Sequence, residues 1–147
     1  MAMRAIRLLP AAALLLLVAC SSGPVRKIHP STASIQELAI LPGGEWQLSL
    51  RIENFSNVPM HYEALDARLD IDGTEAGEIH AAPDIDIVGN SGDVVTVRLR
   101  AVTPLRAGAD FGYRLEGTIR TSEPKANFKF ERNSRLSPVP GIADTWR

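Results

Sequence analysis

From Ile35 onward, apolar residues fall at every second position. Trp46, Leu48, Leu50 and Ile52 alternate with Gln47, Ser49, Arg51 and Glu53, and Leu65, Ala67, Leu69 and Ile71 with Asp66, Arg68, Asp70 and Asp72. The same period runs through Val95, Val97 and Leu99, through Phe111, Tyr113, Leu115 and Ile119, and across Phe128 and Phe130. Successive side chains of an extended chain point to opposite faces, so this period belongs to strands with one buried face. No stretch after Cys20 carries the i, i+3, i+4, i+7 stripe of an amphipathic helix. Turn chemistry separates the runs: Pro42-Gly43-Gly44 after a first strand near Ser34–Leu41, Asn54 to Pro59 after the second, Asp72-Gly73 as a two-residue hairpin, Gly89-Asn90-Ser91-Gly92, and Thr121 to Pro124. Together they predict an all-β domain over residues 34–136, an immunoglobulin- or fibronectin-III-like antiparallel β-sandwich of about seven strands. Pro59, Pro83 and Gly77 are expected at strand edges, where an interruption is tolerated. Residues 137–147 (with Pro138, Pro140 and Gly141) predict an irregular tail.

The first nineteen residues follow a different rule. Arg4 and Arg7 precede an apolar run from Ala11 to Ala19, a secretory signal by charge and too short for a membrane-spanning helix. The run ends Leu17-Val18-Ala19-Cys20 and continues Ser21-Ser22-Gly23, which resembles the bacterial lipoprotein box. That resemblance implies cleavage before Cys20, diacylation of its thiol and acylation of the new amino group. Several acyl chains make an effectively permanent anchor, where a single chain is marginal. The expected partner is therefore a membrane of the cell envelope. Ser21 in place of aspartate after the lipidated cysteine directs the expectation to the periplasmic face of the outer membrane. Residues 20–33, aperiodic and holding Pro24 and Pro30, read as the lipidated cysteine and a flexible tether.

Composition narrows the chemistry. Cys20 is the single cysteine, so lipidation removes disulfides, a cysteine metal cluster and a thiol nucleophile together. Of 16 basic residues Arg4 and Arg7 leave with the signal, and 14 basic against 17 acidic gives the mature chain a formal charge of −3. No basic patch interleaved with aromatics is present, so no nucleic-acid partner is expected. Asp70, Asp72, Asp84 and Asp86 are the candidate calcium carboxylates, and Asp70-Ile71-Asp72-Gly73 imitates the start of a calcium loop, but the later ligand positions and the closing glutamate are missing. His29, His61 and His80 lack zinc spacing, and no Gly-x-Ser-x-Gly elbow occurs. The expectation is no cofactor, no metal and no catalytic residue. Asn54 and Asn57, followed by Pro59, suit an irregular turn at one end of the sandwich, a structural motif that also marks a ligand-facing end. Basic side chains concentrate towards the C-terminus (Arg98 to Arg135) and acidic ones over Asp66 to Asp93, either a solvated mixed face or a dipolar docking surface.

The order of segments resembles the late embryogenesis abundant (LEA) type 2 family, whose core is the water stress and hypersensitive response (WHy) domain. The residues that carry the likeness are Leu50-Arg-Ile-Glu-Asn54-Phe-Ser-Asn57-Val-Pro59, Leu65 to Gly73 followed by Ala76-Gly77, Gly92 to Leu99, and Tyr113-Arg-Leu-Glu-Gly117-Thr-Ile119. They span roughly residues 35–136. The resemblance implies a non-enzymatic domain, monomeric by preference, that protects neighbouring proteins or membranes during desiccation or other stress. The alternative is an envelope assembly module that recognises a protein partner through a sheet edge or its end loops.

Overall fold

The computed structural model describes residues 23–147. They form two antiparallel sheets of nine strands, without helix: β1 (Thr32–Ile40), β2 (Trp46–Asn54), β3 (Met60–Ile71), β4 (Thr74–Ala81), β5 (Ile85–Ile87), β6 (Ser91–Leu99), β7 (Phe111–Glu123), β8 (Lys125–Leu136) and β9 (Thr145–Trp146). One sheet has the order β6-β2-β1-β9; the other is β4-β3-β7-β8, with β5 beside β4 on the free side of β3. Without the short β5 and β9, this is A-B-E against C′-C-F-G in immunoglobulin terms, so the all-β sandwich read from the alternation is the fold. Nine strands replace the expected seven, because β5 and β9 are too short for a period of two to mark.

The alternating residues do face inward. Trp46, Leu48, Leu50 and Ile52 are buried, and so are Leu65, Leu69, Ile71, Leu115 and Ile119. The Asp72-Gly73 hairpin joins β3 to β4 with both residues at positive φ (46° and 81°), the geometry of a type I′ turn. Two tyrosines stitch the sheets together across the core. Tyr62 hydroxyl shares a 2.7 Å hydrogen bond with buried Ser31, and Tyr113 hydroxyl accepts from the Ile35 N–H at 3.1 Å. Ile35 sits at a register shift in the β1–β2 ladder, where a bulge disturbs pairing and makes a side-chain acceptor useful.

Two boundaries differ from the sequence expectation. Residues 137–147 are not an irregular tail: Thr145 and Trp146 pair with Ala39 and Leu38 of β1. Trp146 is fully buried, donates to the Ala109 carbonyl at 2.9 Å and meets Phe111 edge-on, with centroids 5.8 Å apart. The tether is also shorter than residues 20–33, since Val25 to Ser31 are docked on the domain and β1 begins at Thr32. Of the predicted edge interrupters, Pro83 separates β4 from β5 and Gly77 lies in β4, both on an edge. Pro59 instead precedes β3, an inner strand.

Candidate functional site

The antiparallel order gives the sandwich two poles. The β2–β3 turn, the Val88–Asn90 turn, the β7–β8 turn and the incoming chain share one. The Asp72-Gly73 hairpin, the β6–β7 loop and the C-terminus share the other.

At the first pole Asn54 is buried and spends its whole amide on backbone. Nδ2 donates to the carbonyls of Val58 (2.9 Å), Ile87 (2.9 Å) and Val88 (3.2 Å), and Oδ1 accepts from the Ser56 N–H (2.9 Å). It thereby ties the β2–β3 turn to the β5–β6 turn. Gly89 closes the same junction, since a Cβ there would lie 2.6 Å from the Asn57 carbonyl carbon. Asn57 faces outward and pairs with the incoming chain as a neighbouring strand would. Its Oδ1 accepts from the Lys27 N–H (2.7 Å), its Nδ2 donates to the Val25 carbonyl (2.8 Å), and its own N–H donates to the Lys27 carbonyl (3.2 Å). Buried Ser56 adds a further rung, its Oγ accepting from the His29 N–H at 2.9 Å and lying 3.3 Å from the His29 carbonyl. Pro59 is exposed and leads into β3. The turn residues Asn54, Asn57 and Pro59 thus lie together, while Cys20 falls outside the described residues.

Sequence reasoning missed Ser56 and the docked segment. The available signal was Pro24 and Pro30, which hold their neighbours extended, in a stretch with free backbone groups to pair.

The second candidate region is the outer face of the β4-β3-β7-β8 sheet. Glu116 and Glu131 stand directly opposite across β7 and β8, a repulsive pair. Arg114 lies between them, 2.7 Å from Glu116, 3.0 Å from Glu131 and 4.0 Å from Asp70. Its hydrogen bond to Glu131 raises the guanidinium pKa further and, joined by one from Asn133, lowers that of the Glu131 carboxyl. Arg68 pairs with Asp70, and Arg120 with Glu63. His61 sits between two carboxylates, Nδ1 2.8 Å from Asp86 and Nε2 3.0 Å from Asp84. The Asp86 hydrogen bond is the main cause of its raised pKa, with Asp84 assisting and burial opposing. His80 is raised likewise, chiefly by Asp66 at 2.8 Å and then by Glu78. The carboxylates considered for calcium are thus divided. Asp70 serves arginines, Asp84 and Asp86 serve His61, and Asp72 accepts from the Gly112 N–H at 2.8 Å. Among the described residues no group of three His, Cys, Asp or Glu side chains is placed to hold a metal ion.

No helix among the described residues is long and apolar enough to cross a membrane. No family model matches the chain. No curated protein matches it either. Among solved structures it is similar to a protein from Archaeoglobus fulgidus known by its crystal structure, with 10% sequence identity and a TM-score of 0.42, covering 77% of this chain and 98% of the other.

Proposed function

We propose that the chain is a lipid-anchored, non-catalytic domain of the cell envelope, of the LEA type 2 (WHy) kind, that protects its neighbours when water is lost. The supporting observation is the set of ion pairs on the outer face of the β4-β3-β7-β8 sheet, where Arg114, Arg68, Arg120, His61 and His80 each meet a carboxylate of the same face. In water such exposed pairs add little. Attraction between charges scales inversely with the dielectric constant, rising roughly fourfold between an effective value of about 80 and about 20. Charges that are already matched gain as water is withdrawn, whereas unmatched ones lose their solvation. The fold then persists through drying and keeps a polar surface for its neighbours.

The domain from Ser22 to Arg147 should preserve a labile enzyme through drying or freeze–thaw better than an equal mass of an inert protein. Equal loss of enzyme activity in both samples would remove this reading. The edges also bear on it. Pro83 breaks one, β9 is only two residues long, and Arg132 of β8 stands opposite Leu115, a charge on the core side of an edge. Each device blocks strand addition.

One edge supports the assembly-module reading. β6 runs nine residues without interruption and leaves Val94 exposed. If that edge accepts a partner strand, Val94→Lys should disturb an envelope complex as deletion of the protein does, and leave survival of drying unchanged.

A further inference from the structure

Among the described residues, seven large apolar side chains are exposed: Val25, Ile28, Phe55, Val88, Val94, Val102 and Ile142. Four of them fall at one pole, within a residue or two of the bonds that Asn54, Ser56 and Asn57 make. Phe55 lies between Asn54 and Ser56. Val88 offers its carbonyl to Asn54, Val25 offers its carbonyl to Asn57, and Ile28 lies between Lys27 and His29, which Asn57 and Ser56 hold. Fractional exposures are 51% for Phe55, 61% for Val88, 73% for Val25 and 42% for Ile28. These side chains face solvent because the backbone bonds beneath them fix the turn, so the exposure is built in. The docked segment also carries Arg26 and Lys27 and no acid.

The incoming chain decides what covers this pole. Five residue steps separate Cys20 from Val25, at most about 16–18 Å of extended chain. A tether loose to residue 33 would let the domain turn freely above a bilayer, but one that ends at Val25 does not. The headgroup layer takes about 5–8 Å of that reach, so Val25 lies within about 9–13 Å of it. We propose that the pole formed by Phe55, Val88, Ile28 and Val25 is a lipid-docking face. It rests in the interface of the bilayer that holds Cys20, with Arg26 and Lys27 at the level of anionic headgroups. This rests on the anchoring reading above. The sandwich then stands with its strands steep to the membrane and its C-terminal pole outward.

Acylated Cys20 leaves no thiol in the wild-type chain, so a single introduced cysteine can carry a fluorophore. The full acylated protein, bearing Phe55→Cys, Val88→Cys or, at the opposite pole, Val102→Cys, is reconstituted in phosphatidylethanolamine–phosphatidylglycerol vesicles containing a lipid-borne nitroxide quencher. β3 alone spans about 40 Å between the poles, beyond contact quenching. Quenching at positions 55 and 88 should exceed that at 102 by about threefold or more. Equal quenching at all three positions in acylated protein would overturn the docking face and leave the anchor standing. Intact mass without the acyl groups would overturn the anchoring reading, and the docking face with it. Labels at 55 and 88 that escape the lipid quencher, in variants whose unlabelled cysteines form disulfides between chains when an oxidant is added, would assign the face to a second copy, and the proposal falls.

Discussion

Asn54 and Asn57 are the same residue type in the same turn, yet they do different work. Asn54 is buried and bonded to three carbonyls and one N–H, so Asn54→Ala leaves several buried backbone groups without partners. A loss of about 1–3 kcal/mol is expected from denaturant titration, since an unsatisfied buried group carries its full desolvation penalty. Asn57 is exposed, and Asn57→Ala should leave the unfolding midpoint nearly unchanged. Amide exchange at Lys27 and His29 is where that variant should show itself, rising as the incoming segment detaches. The sequence made both residues legible as turn formers, because the chemistry of an asparagine beside a strand end is local. It could not separate their roles, since Lys27 lies 30 residues upstream of Asn57 and nothing local records the pairing. Trp46 is the opposite case. Its register with Leu48, Leu50 and Ile52 placed it in the core, where it is 3% exposed. Trp46→Ala should cost about 3–5 kcal/mol.

Strands long enough to repeat their period were readable, and short ones were not. β2, β3 and β7 announce themselves through four or more alternations. β9 is two residues, so Trp146 looked like part of a tail although it is fully buried against Phe111. Removing Thr145–Arg147 should therefore destabilise the domain by about 3–5 kcal/mol, as loss of a core tryptophan does, where an irregular tail would cost almost nothing. Side-chain pairing across strands was equally hidden, because register decides which charges meet. Its consequence is a pH dependence. His61 and His80 hold their protons more tightly when folded, with pKa values above the ordinary 6.5. Their contribution is complete below about 6.5 and declines as pH rises through the raised values. Glu131 acts in the opposite sense: its folded pKa lies below 4.5, so its contribution is present above that and is lost as pH falls through the lowered value. Urea midpoints should be highest between about 4.5 and 6.5, and replacing both histidines with glutamine should flatten only the alkaline side. An unchanged alkaline limb in that double variant would show that the histidine pairs are not its source.

For the molecule as a whole, the two ends of the described chain emerge at opposite poles. The C-terminal residue is held at the far pole by paired backbone bonds between Arg147 and Ser137, and the incoming chain by Asn57 and Ser56 at the near pole. The proposed anchor requires that Cys20→Ser abolish incorporation of a fatty-acid analogue, and equal labelling of both proteins would refute it. The side-chain rungs that hold Val25 to His29 also set how the molecule bears load. Tension applied from the N-terminal side meets three exposed backbone-style rungs on Asn57 first, the Ser56 rung on His29 next, and buried Ser31 with its Tyr62 bond only afterwards. Detaching the first set lengthens the reach from Cys20 from about 16–18 Å, reckoned to Val25, to about 30–32 Å, reckoned to His29. A pull strong enough to open those rungs therefore meets slack before it meets the core, and the sandwich behind them stays folded while the leash pays out.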